Sequence, residues 1–470
     1  MKHLINLSII TESVPSIFKE ARVVPLFKKG STLDPGNYRP VSVLCVLSKI
    51  LERAVHTQLA DYLERRHILF ENQSGFRGGF STDTSLIGLT DFIRNELGKG
   101  CFVGMILIDL QKAFDTVDYE ILLDKLSAIG MSSTAWFKSY LMNRRQCVEV
   151  RGTQSDFQPM SCGVPQGSIL GPLLFLVYIN DLSMALNCKL SLYADDSALI
   201  FSDANSDLVT HRLSKELETC KRWLVDNKLS LHIGKTEFIL FGSRVKLKRA
   251  LDAQVMCDGI VVKRVETVKY LGMLLDSCLS GNAHVASVIK TCAGRLSFLH
   301  RYSRYLDFDS RKILCSALIQ PYLDYCISSW YSGISIRFKT RLATFQRKLV
   351  RFVHEYDWKH HVDSRNLRDL YWLSIPDRVS YFKMIHLFKI RLGLAPPYLS
   401  SGFVSLLRTH SYRTRGSESN YHISREIALS PTSFTFTAIK TWNGLPVQLK
   451  RLDSLKNFKK KLKEFLISHY

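Results

Sequence analysis

The sequence predicts an α+β protein whose second half is mainly helical and strongly basic. Three observations carry this. Apolar runs at Met105–Ile108 and on both sides of Asp195-Asp196 read as buried strands that end on acids. Amphipathic patterns at three- to four-residue spacing recur through much of the remainder. Residues 281–470 hold 31 Lys and Arg against 12 Asp and Glu, whereas residues 1–200 hold 20 of each, so nearly all of the net charge of +22 lies past residue 280.

Length and composition exclude several classes. A chain of 470 residues has room for about three domains of roughly 150 residues. With 46% hydrophobic and 23% charged residues, it is neither disordered nor fibrous. The longest apolar stretch, Ile169 to Ile179, is broken by Gly171-Pro172 and falls short of the roughly 20 residues of a membrane span. The first ten residues are too short and polar a run for a signal peptide. Eleven scattered cysteines with no Cys-x-x-Cys pair argue against a disulfide framework and a zinc site, and predict an intracellular, reducing setting.

Taken in order, the elements follow from local pattern. Met105 to Ile108 is a buried strand with Asp109 at its end. Asp118 then caps a helix carrying Val117, Ile121, Leu122 and Leu126, closed by Gly130. Gly163 to Pro172 is a Gly/Pro turn into a buried helix. Leu190 to Phe201 is a hairpin with Asp195-Asp196 at its turn, and Val209, Leu213, Leu217, Cys220 and Leu224 mark a scaffold helix. Phe338, Leu342, Phe345, Leu349 and Phe352 lie among Arg337, Lys339, Arg341, Arg347, Lys348 and Arg351. Leu455, Phe458, Leu462 and Phe465 repeat the arrangement, with Ser454 as N-cap and Lys456, Lys459, Lys460, Lys461 and Lys463 around them. These cationic faces favour a nucleic-acid surface, which phosphates reward by counterion release, over a solubilising one. A membrane-surface helix is the weaker reading.

The acids point to chemistry. Asp in a turn is commonly turn chemistry alone. Two consecutive acids between strands this apolar repel each other unless a cation neutralises them. With Asp109 beside them, they suit a pair of Mg²⁺ ions about 4 Å apart, which take oxygen ligands and serve in-line phosphoryl transfer. Other chemistries fail. Gly234-Lys235-Thr236 lacks a phosphate-binding loop's first glycine, since Leu229 stands there. No His-Glu-x-x-His helix or Gly-x-Ser-x-Gly elbow occurs.

The same residues resemble the reverse transcriptases of non-LTR (LINE-type) retrotransposons, especially the Jockey and chicken-repeat-like groups. Tyr193-Ala194-Asp195-Asp196 matches the Tyr-x-Asp-Asp box, and Asp109 to Asp115 matches the first aspartate box. Gly163 to Pro172 matches the box between them, and Asn37-Tyr38-Arg39-Pro40-Val41-Ser42 resembles the fingers motif. The resemblance implies a right-hand polymerase with fingers, an antiparallel-sheet palm and a helical thumb. With the charge shift near residue 280 as boundary, the chain divides into fingers and palm (1–280), a thumb-like helical region (281–350) and a basic C-terminal region (351–470).

Its implied roles fall on particular residues. Asp109, Asp195 and the Leu110 carbonyl would ligate two Mg²⁺ ions, or Mn²⁺ in their place, with Asp196 as a supporting acid. Lys28 and Arg39 would contact the incoming deoxynucleoside triphosphate, fixed cations suiting phosphate. Gln166 would align nucleotide and template, though it reads equally as a turn residue packing the loop. Phe114 stands where the family has a gate beneath the sugar, and also reads as a core aromatic. Lys235 matches a lysine that would protonate leaving pyrophosphate, with an exposed structural lysine as the alternative. Val268 to Gly272 resembles the primer-grip hairpin. Trp442, in a stretch such elements share, reads as a packing anchor.

The implied function is RNA-directed DNA synthesis from a DNA primer on an RNA template. The alternative is a catalytically silent nucleic-acid-binding remnant, with an RNA-dependent RNA polymerase more distant. The sequence departs from full elements in showing no endonuclease ahead of the polymerase and no Cys/His knuckle. Gly78 and Phe80 also replace frequent basic residues in the box Gln73 to Thr82.

Overall fold

The computed structural model describes residues 2–406 and 419–470. The apolar run around Met105 forms the strand Phe102–Ile108, the middle of a five-stranded sheet. On one side it pairs antiparallel with Asp196–Asp203, which pairs antiparallel with Lys189–Tyr193. On the other it pairs antiparallel with Glu237–Phe241, and only the two-residue strand Lys263–Arg264 joins parallel. The antiparallel palm expected from the sequence is thus present.

The central stretches of these strands are apolar because both faces are covered. Side chains alternate across a strand. Ile106 and Ile108 join a first core with Leu192, Leu199 and the helix Ser206–Asp226. Val103 and Met105 join a second core with Leu86, Leu89 and Ile93 of the helix Thr82–Gly98. The wholly apolar helix Gly171–Ile179 is buried in the first core, to which Val46–Arg65, Tyr119–Ala128 and Ala135–Leu141 contribute their apolar faces. Asp118 caps Tyr119–Ala128 by accepting from the Glu120 and Ile121 amides.

A second sheet stands beside the palm. Glu20–Phe27 pairs antiparallel with Tyr38–Leu44 and parallel with Arg144–Val150. The second core continues past residue 280 into the helices Asn282–Arg301, Phe308–Leu318 and Ile336–His354. The last runs slightly beyond the apolar repeat that announced it. A third core gathers Met384, Phe388, Phe434, Trp442, Phe458 and Leu462. Trp442 is 1% exposed and is a packing anchor, as read from the sequence.

The helix Thr82–Gly98 serves two cores. Its Leu86, Leu89 and Ile93 face the palm sheet, while Ile87 belongs to the third core. Its buried Asp91 accepts from the Phe434 and Thr435 amides and the Thr435 hydroxyl, at 2.6–2.8 Å, and so caps the helix Phe434–Asn443. Among the described residues no helix is long and apolar enough to cross a membrane. All eleven cysteines are free thiols.

Candidate active site

The chain at Asp109 is fixed by a short ladder beyond the strand end. His232 N–H donates to the Asp109 carbonyl at 2.9 Å, and Gln111 N–H donates to the Ser230 carbonyl at 2.9 Å. In this wide pair Leu110 lies opposite Leu231, so its own carbonyl points away from that strand. The register Ile108↔Ser197, carried one step on, brings Asp109 to the level of Asp196. Lys235 rises from the same stretch as His232, and its Nζ stands 3.8 Å from Asp109 Oδ2.

The second acid pair tops the hairpin Lys189–Tyr193/Asp196–Asp203, with Tyr193 opposite Asp196. Both carboxyls reach solvent, yet protein crowds them on the inner side, and Asp196 lines a cleft. Burial therefore pushes the Asp196 carboxyl up to about 6, with Asp195 and Asp109 adding repulsion. Asp195 is also raised, chiefly by burial, against the pull of Arg39 and Lys28. A cleft of about 300 Å³ opens here, lined by Asp109, Asp196, Lys235, Glu237, Lys269 and Tyr270. Tyr270 belongs to the hairpin Thr267–Tyr270/Met273–Asp276, the element read as a primer grip.

Opposite the acids, Lys28 and Arg39 sit at the exposed end of the paired strands Glu20–Phe27 and Tyr38–Leu44. The Gln166 loop is wedged between this sheet and the chain after Asp109. Gln166 Nε2 donates to Asp115 Oδ1 at 2.9 Å, while Ser42 N–H donates to the Gln166 carbonyl at 2.8 Å. Gly167, at φ 135°, passes so close to this strand that a Cβ would lie 2.4 Å from the Ser42 carbonyl oxygen. Buried Glu52 accepts from the Ile169 and Leu170 amides, placing a carboxylate at the positive end of the helix Gly171–Ile179.

Phe114 is half-buried. Its ring stacks on Phe175 at 4.5 Å and meets Phe76 edge-on at 6.4 Å, so it is held from two sides. The structure therefore brings Asp109, Asp196 and Lys235 to one cleft, with Asp195 beside it in the hairpin turn, where the charges of Asp109, Lys28 and Arg39 act on it. It joins Gln166 to Asp115 rather than to the three acids. Among the described residues, no group of three or more His, Cys, Asp or Glu closes tightly enough to enclose a metal by itself.

Residues 27–275 match the sequence model of the family described as reverse transcriptase (RNA-dependent DNA polymerase), which is more than half the chain. The chain belongs to the reverse transcriptase family. The chain is 31% identical over 386 residues to the probable RNA-directed DNA polymerase from transposon BS of Drosophila melanogaster, covering 78% of this chain and 41% of that protein. It is 26% identical over 359 residues to the RNA-directed DNA polymerase from mobile element jockey of Drosophila funebris, covering 73% and 38%. These mobile-element relatives agree with the non-LTR boxes of the sequence, and the chain spans about two fifths of their length. A telomerase structure from Candida tropicalis aligns over 100% of this chain and 68% of its own, at 12% identity and a TM-score of 0.42.

Two contributors were not legible as site residues. Asp115 lies inside the first aspartate box, and its bond to Gln166 follows only from the fold. Gln73 opens the box Gln73 to Thr82, and its side chain reaches the acidic hairpin. Arg77 of that box makes a two-point pair with Glu64 and lies over the Phe80 ring at 4.1 Å, so it is already engaged within the protein.

Proposed function

We propose that this chain is the polymerase region of a retroelement protein, adding deoxynucleotides to a DNA primer 3′ end on an RNA template. The observation that carries this is the meeting of Asp109 and Asp196 in one cleft with Asp195 next to them in the turn, the three close enough to repel and Asp196 raised to about 6. Carboxylates crowded in this way are unfavourable unless bound cations offset them. The donor set fits Mg²⁺, which uses one or two carboxylates together with substrate phosphates rather than an all-protein cage; Mn²⁺ suits the same oxygens. Asp109, Asp195 and the Leu110 carbonyl would hold two ions, with Asp196 in support. Such ions stabilise the attacking and leaving oxygens of an in-line phosphoryl transfer.

The rest falls to the chain's own side chains. Lys28 and Arg39 supply fixed cations for the triphosphate. Gln166, steadied by Asp115, lines the nucleotide and template side, and Phe114 fills the space beneath the sugar. Lys235 Nζ holds a proton within reach of Asp109 for the departing pyrophosphate. Residues 1–280 form fingers and palm, 281–350 the thumb, and 351–470 a basic C-terminal region. Exposed Arg337, Arg341, Arg347 and Lys348, with Lys456, Lys460 and Lys461, supply the charge that meets nucleic acid. The free thiols support an intracellular setting.

Primer extension on an RNA template with Mg²⁺ tests the reading. Wild type should add deoxynucleotides, and Asp195→Ala or Asp109→Ala should add none while still binding primer–template. A folded wild type that binds primer–template without extending it would favour the silent remnant.

A further inference from the structure

The acidic hairpin depends on a conformation that its own sequence disfavours. Its two-residue turn places Ala194 at φ 57°, a left-handed position where a tight hairpin ordinarily has glycine or asparagine. An L side chain held there needs outside support, and the next carboxyls along the chain are Asp195 and Asp196.

That support comes from residues 72–75. Leu192 N–H donates to the Asn72 carbonyl at 3.1 Å, and Ser74 N–H donates to the Leu192 carbonyl at 2.8 Å, so Gln73 lies beside Leu192 in a parallel bridge. The Gln73 side chain is 1% exposed, and its Oε1 accepts from both Ala194 N–H, at 3.0 Å, and Gly75 N–H, at 2.9 Å. Gly75 crosses the turn so closely that a Cβ would sit 2.5 Å from the Ala194 nitrogen. From behind, the Ser74 hydroxyl is 3.0 Å from the hydroxyl of Tyr398, a residue of the C-terminal region. The Tyr398 ring itself packs over Gly88 of the helix Thr82–Gly98.

We propose that Gln73 is a positioning residue that holds the Ala194 turn, and with it Asp195 and Asp196, in the productive arrangement, and that Tyr398 locks this clamp from the C-terminal region. The clamp rests on the polymerase reading for its effect on rate, but not for its effect on the turn. Losing it displaces carboxyls rather than the surfaces that bind nucleic acid, so it acts on turnover and leaves binding alone.

The full chain is assayed as Gln73→Met, which keeps volume but removes the acceptor, and as Gln73→Glu, which keeps an oxygen at that position. Tyr398→Phe and Gln73→Met/Ala194→Gly complete the set. Each is read by primer extension, by primer–template affinity and by hydrogen exchange of the amides at 190–196. Gln73→Met should lower kcat by about tenfold or more, with nucleotide KM and primer–template Kd close to wild type, since small displacements of reacting groups cost rate steeply. Gln73→Glu should restore most of the rate. Ala194→Gly should recover part of it in the Gln73→Met background, because glycine adopts the turn unaided. Tyr398→Phe should give a smaller loss of the same kind. Wild-type kcat in Gln73→Met, a loss falling equally on binding, or no recovery with glutamate would overturn the clamp. If wild type itself adds no nucleotide, the polymerase reading falls, and the clamp is judged on exchange alone. Faster exchange at Ala194 in Gln73→Met sustains it, and unchanged exchange overturns it. Where Gln73→Met does not fold, Tyr398→Phe decides by the same readouts.

Discussion

Replacing Asp196 by asparagine should stabilise the metal-free protein at neutral pH. The carboxyl is raised from 3.8 to about 6, by burial first and then by Asp195 and Asp109. A folded-state value above the unfolded one means that the native state binds this proton more tightly. Stability then falls as pH climbs between those two values, and the penalty is complete above the upper one. The unscreened shift corresponds to about 3 kcal/mol, at about 1.4 kcal/mol per unit. Because the carboxyl reaches solvent, screening reduces this to on the order of 1 kcal/mol. Urea unfolding in EDTA across a pH series measures it. Asp196→Asn should exceed wild type by on the order of 1 kcal/mol near neutral pH, and the difference should close near pH 4. Asp195 and Asp196 are both raised and sit side by side, so the curve belongs to the pair rather than to Asp196 alone. Mg²⁺ should then stabilise wild type more than the variant, since binding to the folded state adds to stability. Superimposable metal-free pH profiles would refute the crowding of the acids and remove the main support for a metal site.

Other perturbations bear on separate parts of the molecule. Phe114→Ala should raise ribonucleotide incorporation by about tenfold or more, about 1.4 kcal/mol, with much less effect on deoxynucleotides; competition assays that show no gain would make Phe114 a core aromatic only. Substituting Lys456, Lys459 and Lys460 by Gln should flatten the slope of log affinity against log salt by about 2 to 3, as each phosphate contact contributes roughly 0.7 to 0.9. An unchanged slope would make that face a solubilising one. Lys383 is buried, donates to Ser332 and Thr437, and is lowered to about 7 chiefly by burial, with Arg94 adding repulsion. The native state therefore binds this proton less tightly than the unfolded chain, and its penalty should fade as pH rises from about 7 toward the ordinary lysine value near 10.4. Lys383→Met should differ from wild type by an amount that shifts by on the order of 3 kcal/mol over that window, measured by unfolding.

What the sequence made legible is what local pattern encodes. The strand before Asp109, the hairpin at Asp195-Asp196, the Asp118 cap and the helix Leu455–Ile467 with its Ser454 cap are all where spacing and capping chemistry put them. The order of the boxes carried the family. Contacts between distant segments were not legible, because no period or cap announces them. Gln73 meets Ala194 across 121 residues, Glu52 meets Ile169 across 117, and Asp91 meets Phe434 across 343. Each is a side chain satisfying backbone amides that the fold has left without partners, and which amides those are is decided by packing alone. The basic helices illustrate the same limit. Their cationic positions were readable, but not that Phe458 would stack on Phe388 at 4.0 Å and bind the last helix into a core shared with the middle of the chain.

That sharing bears on how the C-terminal region relates to the cleft. A basic segment at the end of a chain invites the picture of a tethered nucleic-acid arm. The packing opposes it. The helix Thr82–Gly98 presents Leu86, Leu89 and Ile93 to the sheet that carries Asp109, and Ile87 and Asp91 to the helices after residue 375. Asp91 has no exposed alternative, since burial raises its carboxyl and its partners are the amides and hydroxyl at Phe434 and Thr435. Arg94, one turn on, donates to the Ser329 carbonyl, and its own carbonyl accepts from Ser430. A buried charge stripped of its partners costs several kcal/mol, far more than a surface contact returns. The C-terminal helices are therefore held to the palm through a polar seam that cannot open cheaply. Any nucleic acid that met their lysines would be held by elements packed on the same helix that backs the sheet beneath the acids.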